Sequence, residues 1–380
     1  MPTGEKKSIK VMALTAAPRD DLSDSWTAYS RRIEMLAEGL RARGCQVDFI
    51  HVPELNAPKR LTLAKLLACK HLRKLITGYD VVHAANADAG AIAALGVRGT
   101  GIKLIYDVHG DCASENWLNW GLTRKKSYIS QALQMRILDR IALGRADGFL
   151  VVSKPSYDFY VSRGVSPEKL LITRNGADMD VFKKLSFRGD DGILRVCYTG
   201  GFQGWQGMDN LVRACRLLQR RGWPDNLRLC VVGFGPKNAD VRNELTALLG
   251  DKFEPVDRVP YEDVPKLFAV ADIMVIPRKP HFAVRVAMPT KFGEYLASGR
   301  PVIVTDVDET AELVRKNDCG IVAEAHADGL ADALEQAAAL PYETVVEMGA
   351  KARDLAEREF CWDSIAGRYY DFLKGLVYEE

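Results

Sequence analysis

The chain lacks several features that would place it quickly. No two of its eight cysteines (45, 69, 112, 197, 215, 230, 319 and 361) are separated by two residues, which excludes the common zinc and dithiol redox motifs. Most of them sit among apolar neighbours, as in "LRVCYT" (194–199) and "LRLCVV" (227–232). They read as buried, reduced thiols of a cytoplasmic protein. No apolar run reaches the ~18 residues of a membrane-spanning helix. The opening "MPTGEKKSIKVMALTAAPRDD" has no apolar centre long enough for a secretory signal. Such a chain is expected to meet a membrane only from the side, as a peripheral protein. Net charge is also scarce: +2 over 380 residues gives no reason to expect nucleic acid. Any basic surface must therefore be local. No short repeat and no low-complexity tract occurs.

What is present suits an ordinary globular protein. Hydrophobic residues make up 47% and charged residues 27% of the chain, enough to bury real cores. The length suggests roughly two or three domains. Short β-branched runs alternate with longer helical patterns. Strands are expected at Ile9–Leu14, Gln46–Val52, Val81–Ala84, Lys103–Asp107, Gly148–Val152 and Leu170–Thr173. A second series follows at Leu194–Thr199, Leu227–Val232, Ile273–Ile276 and Pro301–Val304. Helices such as Ser25–Gly44 and Met208–Gly222 intervene. Strict alternation implies parallel sheets covered on both faces, and two series imply two doubly wound α/β domains. The polar stretch "MDVFKKLSFRGDDG" (179–192) is the expected join.

Ligands of open parallel sheets bind beyond the carboxyl ends of the strands. Two segments stand out there. In "YTGGFQGWQGMDNLVRACRLL" (198–218) a strand runs into a loop with Gly200, Gly201, Gly204 and Gly207, and then into a helix. Free amides at a helix start attract anions, and glycines let a phosphate come close. The glycine spacing is not that of a dinucleotide fingerprint, and the glycines could equally serve a plain turn. The second segment is "MPTKFGEYLASGRPVIVTD" (288–306). Pro289 suits the first helical position, Gly299 the helix end, and Arg300 the negative end of the dipole. Lys291 is the misfit, a cation at the positive end of a helix. It is either a solvated lysine lying over apolar surface or the ligand of an anion. Glu294, three residues on, is either its surface partner or a hydrogen-bond acceptor for a sugar diol.

Together these segments resemble the retaining, nucleotide-sugar-dependent glycosyltransferases of the family-4 type, which have the GT-B fold. In that fold two Rossmann-like domains face each other across a cleft. The resemblance covers nearly the whole chain and includes "YDVVHAANADAG" (79–90), "KLIYDVHGD" (103–111) and "ADGFLVVSKPSYDFYVSRGVSPEKLLITRNGADMDVF" (146–182). It continues through "LRLCVVGFGP" (227–236), "VPYEDVPKLFAVADIMVIP" (259–277) and "PTKFGEYLASGRPVIVTDVDETAELVRKNDCGIV" (289–322). It implies an acceptor-binding domain over residues 1–183 and a donor-binding domain over 184–361, with the helix at 362–380 packing back on the first.

The departures concern the site. The family usually carries an arginine and a lysine in the glycine loop, where both neutralise the donor diphosphate; here Gly201 and Gln206 stand at those positions. The first of two glutamates usual in the family is replaced by Val286, whereas Glu294 matches the second. The resemblance is to a subgroup with "QG" in the loop and "P-x-K" ahead of the helix. Diphosphate neutralisation would then pass to Lys291, assisted by Arg278 or Arg285. The donor site is accordingly assigned to Gly200, Gly201, Gln206, Gly207, Val259, Arg278, Lys291 and Glu294, and catalysis to His109 and Lys291. Val259 stands where this fold recognises the base through backbone groups. His83, Asn86 and Trp117 are expected on the acceptor side, and Asn175 is expected to fix a turn. Asp178/Asp180 and Asp306/Asp308 mimic a metal-binding pair, but the resemblance implies a catalyst that needs no metal or other cofactor.

The implied reaction transfers a sugar from a UDP- or GDP-linked donor to a glycan or lipid-linked acceptor, in cell-surface polysaccharide or glycolipid synthesis. A sugar-nucleotide epimerase and an inactive nucleotide-sugar-binding subunit are the alternatives. Two basic segments suggest contact with an anionic membrane. "KRLTLAKLLACKHLRKLI" (59–76) has six leucines, six Lys or Arg and no acid. Arg124–Lys125–Lys126 lie near Trp117 and Trp120. Either segment could equally be a plain surface element.

Overall fold

Residues 8–15, 28–51 and 70–378 are described by the computed structural model. Among them, two units separate: Met1–Arg174 with Trp362–Glu380, and Asn175–Cys361. The first holds β1 (Lys10–Thr15), β2 (Gln46–His51), β3 (Val81–Ala85), β4 (Lys103–Val108), β5 (Gly148–Val151) and β6 (Leu170–Ile172). They lie in the order β2-β1-β3-β4-β5-β6. The second holds β7 (Leu194–Thr199), β8 (Leu227–Phe234), β9 (Phe253–Asp257), β10 (Ile273–Ile276), β11 (Val302–Thr305) and β12 (Gly320–Ala323), in the order β12-β11-β10-β7-β8-β9. Every adjacent pair is parallel. The inner strands β3, β5, β10 and β11 are buried along their whole length, and β4, β7 and β8 nearly so. That is what covering both faces of a parallel sheet with helices requires.

The expected α/β architecture is therefore present, with two strands the sequence did not announce. β9, "FEPVD", contains a proline and two acids, and β12, "GIVA", begins with glycine. Both are edge strands, where one side needs no partner and proline is tolerated. Gly320 is there for space, since a Cβ would stand 1.9 Å from the Val302 carbonyl oxygen across β11.

The division between the units falls between Arg174 and Asn175, ahead of the polar stretch at 179–192. Hydrogen bonds explain this. The Asn175 Nδ2 donates to the Met288 carbonyl at 2.7 Å, and the Ala177 amide donates to the Phe360 carbonyl at 2.7 Å. Phe182 stacks on Phe268 with centroids 5.6 Å apart. The chain returns to the first unit with the helix Trp362–Tyr378, whose Trp362, Ile365, Tyr369 and Leu373 share a core with Ile33 and Leu36.

In the second unit β7 leads to β8 and β9 on one side, whereas β10 pairs with β7 on the other. The crevice at such a reversal is where open α/β sheets bind ligands. Two segments end there: the loop after β7, and Pro277–Arg278 after β10. The helix Thr290–Ala297 follows. Pro289 is its N-cap, with ψ 125°, rather than its first residue. Gly299 lies one residue past the cap Ser298, at φ +69°.

Arg300 does not serve the helix dipole as expected. It is buried, its guanidinium lying 4.3 Å from the Phe187 ring centroid. It donates to the carbonyls of Phe268 (3.0 Å), Leu185 (3.3 Å) and Ser186 (2.9 Å). The arginine thus stitches the incoming chain to the unit. Of the basic run at 59–76, residues 59–69 lie outside the described residues. Residues 70–75 are helical, with Leu72 and Ile76 buried and Lys70, Arg73 and Lys74 exposed. Arg300→Met would leave three carbonyls short of a donor. We expect a loss of at least about 3 kcal/mol, at ~1–3 kcal/mol for each unsatisfied group, measured by urea denaturation.

Candidate functional site

The loop after β7 is shaped by close approach. Gly200 takes φ +130°, and a Cβ on it would fall 2.5 Å from the Lys291 Nζ. Gly207, at φ +77°, lies so close to the β10 exit that a Cβ would stand 1.6 Å from the Pro277 carbonyl oxygen. The two strand ends are tied further by the Lys279 amide, which donates to the Trp205 carbonyl at 3.1 Å. Gly201 is exposed and needs no special conformation. The helix Thr290–Ala297 is held against β7 by Tyr295. Its hydroxyl accepts from the Thr199 amide (3.1 Å) and donates to the Thr199 carbonyl (3.2 Å).

Lys291 enters this crevice from the second position of the helix. Its stem is half-buried, but its Nζ is enclosed and makes no hydrogen bond. The ammonium lies 4.3 Å from the centroid of the Tyr198 ring. Burial, with Arg278 nearby, pushes its pKa down to about 7, against the opposing pull of Glu294. Two more enclosed polar atoms lie without partners on the same segments: the Arg278 Nε and the Gln206 Oε1. Exchanging the two ends of the Gln206 amide would turn that acceptor into a donor.

Lys291 and Arg278 are the two cations of this crevice, and they differ in how they are met. Arg278 pairs with Asp308 at 2.5 Å and donates to the Ala287 carbonyl at 3.4 Å. Arg285 is exposed and lies over the Phe282 ring. Val286 is buried. Glu294 accepts from the Tyr261 hydroxyl at 3.0 Å. Val259 is half-buried in the segment between β9 and Tyr261. All the residues assigned to donor binding thus belong to one unit.

Neither aspartate pair forms a cluster for a metal. Asp308 caps the helix Glu309–Asn317 and holds Arg278; Asp306 pairs with Arg315. Asp178 accepts from the amides of Asp180 and Val181.

In the first unit His109 follows β4, and beside it lies a buried cluster that sequence reasoning missed. Asp107 is fully buried. It accepts from Arg32 (NH2, 2.9 Å; Nε, 3.1 Å), from His83 Nε2 (3.3 Å) and from His109 Nε2 (3.2 Å). Burial alone would raise the Asp107 pKa, yet Arg32 and the two histidines hold the carboxylate well below its usual range. Burial lowers the pKa of His109, with Asp107 pulling the other way. The His83 Nδ1 meets the Tyr369 hydroxyl at 3.2 Å. If the hydroxyl donates, the His83 Nε2–H is left to donate to Asp107. His83 is 3% exposed, so it lines this network and not an open surface. Asn86 opens the next helix at φ +66°. Trp117 is exposed and meets Trp120 edge-on. The signal for Asp107 was its place on β4 two residues before His109, a spacing that puts both side chains on one side of an extended chain.

Residues 30–181 match the family described as Glycosyltransferase Family 4, and residues 194–339 match Glycosyl transferases group 1. The chain belongs to these GT-B glycosyltransferases. The family is retaining and uses nucleotide sugars. A D-inositol 3-phosphate glycosyltransferase of Corynebacterium aurimucosum is 26% identical over 76% of this chain and 70% of its own length. A GDP-mannose-dependent alpha-(1-6)-phosphatidylinositol monomannoside mannosyltransferase of Mycobacterium tuberculosis is 29% identical. That match covers 45% of this chain and 44% of the relative. In structure, the sucrose-phosphate synthase of Thermosynechococcus elongatus superposes with a TM-score of 0.74 at 17% identity, over 97% of this chain and 99% of that one.

The titration of Lys291 gives a test with a defined sign. With its pKa pushed down to about 7, Lys291 gives up its proton as pH rises through that value, and an entering diphosphate would raise the pKa. Binding of a nucleoside diphosphate should therefore take up a proton. Affinity should fall between about pH 7 and 9, by at most tenfold per pH unit. Calorimetry in buffers of different ionisation enthalpy measures that uptake, which should vanish in Lys291→Met.

Proposed function

We propose that the protein transfers a sugar from a UDP- or GDP-linked donor to a glycan or lipid-linked acceptor, with retention, in the making of a cell-surface polysaccharide or glycolipid. The observation that carries this is the enclosed Lys291 ammonium, which has no hydrogen-bond partner at the carboxyl ends of β7 and β10. A desolvated cation without an acceptor is costly, and a diphosphate would satisfy it. In this reading Lys291 takes over the role of the two basic residues absent at Gly201 and Gln206, with Glu294 on the ribose. The second unit holds the donor and the first the acceptor. The relatives named above act on inositol phosphate and on a phosphatidylinositol mannoside. They support a phosphorylated or lipid-linked acceptor.

The chemistry follows from charge. The bond between the anomeric carbon and the diphosphate breaks, and negative charge builds on the departing oxygen. Lys291 and the amides of the helix start stabilise it where it develops. The acceptor hydroxyl attacks from the same face and passes its proton to the departing phosphate oxygen. His109 donates a hydrogen bond to a sugar hydroxyl, which it can do in either protonation state. The scheme needs no metal.

Two variants test the assignment. Lys291→Ala should weaken nucleoside diphosphate binding about 10- to 100-fold and leave nucleoside monophosphate binding nearly unchanged. Equal loss of both by titration calorimetry would remove Lys291 from the diphosphate. His109→Ala should lower turnover about 10²- to 10⁴-fold with nucleotide affinity intact; collapse of affinity would make it a structural residue. Wild-type protein that binds no nucleoside diphosphate at all would overturn the donor site, and sugar release without acceptor would favour an epimerase.

A further inference from the structure

We propose that the outer face of the helix Ser127–Leu143, together with a basic cavity at its end, docks on the surface of an anionic phospholipid bilayer. The first observation concerns exposed apolar side chains. Scattered singly, they carry no information. Seven large ones are exposed among the described residues, and four of these lie on a single two-helix hairpin: Trp117 and Leu122 on Cys112–Thr123, and Leu133 and Ile137 on Ser127–Leu143. Leu133 and Ile137 are the most open of the seven, at 57% and 56%. They stand four residues apart, on one face of the helix.

The second observation is charge. Residues 116–138 contain Arg124, Lys125, Lys126 and Arg136 and no Asp or Glu, and Arg140 follows. All five cations are exposed. Arg124–Lys126 stand just ahead of the helix, and Arg136 and Arg140 follow about 15 and 21 Å beyond Lys126 at 1.5 Å per residue. Leu133 and Ile137 lie between Lys126 and Arg140, with Arg136 beside them. An interfacial helix has this layout, with apolar side chains for the headgroup boundary and cations for anionic lipid.

The third observation is the cavity. Arg140 also lines a hollow of about 510 Å³ with Gly144, Arg163, Ser166 and Lys169. The Arg163 charge is met by Asp139, on which the hydroxyls of Tyr106 and Tyr160 also converge. Arg140 and Lys169 make no ion pair among the described residues. The nearest exposed acid in sequence is Glu168. Arg140 belongs both to this hollow and, seven residues past Leu133 and three past Ile137, to their face of the helix, so a bilayer lying on that face would bring headgroup phosphates beside Arg140.

A second copy of the chain is a poorer occupant. A two-fold contact would set these cations against themselves. The surface differs from the basic run at 59–76. It agrees with a lipid-linked acceptor, but its test needs neither donor nor acceptor, so each can fail alone.

The test is sedimentation with vesicles. Wild-type protein should bind vesicles of phosphatidylcholine mixed with phosphatidylglycerol, and not vesicles of phosphatidylcholine alone. Leu133→Ser with Ile137→Ser should weaken binding more than tenfold. Arg140→Gln with Lys169→Gln should weaken it about 30-fold, roughly fivefold per charge. Both pairs are exposed, and if one fails to fold the other decides. Absence of wild-type binding, or both double variants binding like wild type, overturns the proposal. So does a dimer in sedimentation equilibrium that the Leu133/Ile137 variant splits.

Discussion

A charge taken out of water must be met by another group, and the two units treat that requirement in opposite ways. Asp107 in the first unit is fully enclosed and fully answered: Arg32 and two histidines converge on it. Lys291 in the second unit is enclosed at its tip without a hydrogen bond, and is met by the face of Tyr198 and the more distant charge of Glu294. The first arrangement is finished and holds a strand end, a helix and His109 in place. The second leaves an electrostatic demand that a bound anion can fill. Burial by itself does not distinguish a structural charge from a functional one.

The sheet order explains why the open charge sits where it does. The reversal between β7 and β10 leaves a crevice with no crossing connection. The loop after β7 closes on the β10 exit so tightly that Gly207 has no room for a side chain. Tyr295 holds the body of the following helix against β7, and Asn175 holds the carbonyl of Met288 just before its start. The helix start and the enclosed Lys291 Nζ thereby lie beside the loop after β7. A phosphate bound there would meet a positive helix end and an ammonium together.

Much of the fold was legible in the sequence because parallel strands buried on both faces read as plain apolar runs, as "LRVCYT" and "IMVI" do. β9 and β12 were not legible, since edge position lets Pro255, Glu254 and Gly320 stand in strands. Arg300 was misread because a cation after a helix has an obvious local use, whereas its actual partners, Phe268, Leu185 and Ser186, are remote in sequence. His83 looked like a strand-end residue open to a ligand. The helix Trp362–Tyr378, nearly three hundred residues later, supplies the Tyr369 that encloses it.

The sequence by itself determined the alternation of strand and helix, the family motifs, the glycine loop, and the presence of a lysine where a helix start should repel one. These are local properties, set by residue type and spacing. Only the tertiary structure decided that Lys291 is shut away from solvent without a hydrogen bond, that Arg278 is already engaged by Asp308, and that Asp107 gathers Arg32, His83 and His109. It also brought the exposed leucine and isoleucine of one helix into line with a basic hollow. Whether a charge is solvated, paired or left waiting depends on which distant segments pack around it, and spacing along the chain does not encode that.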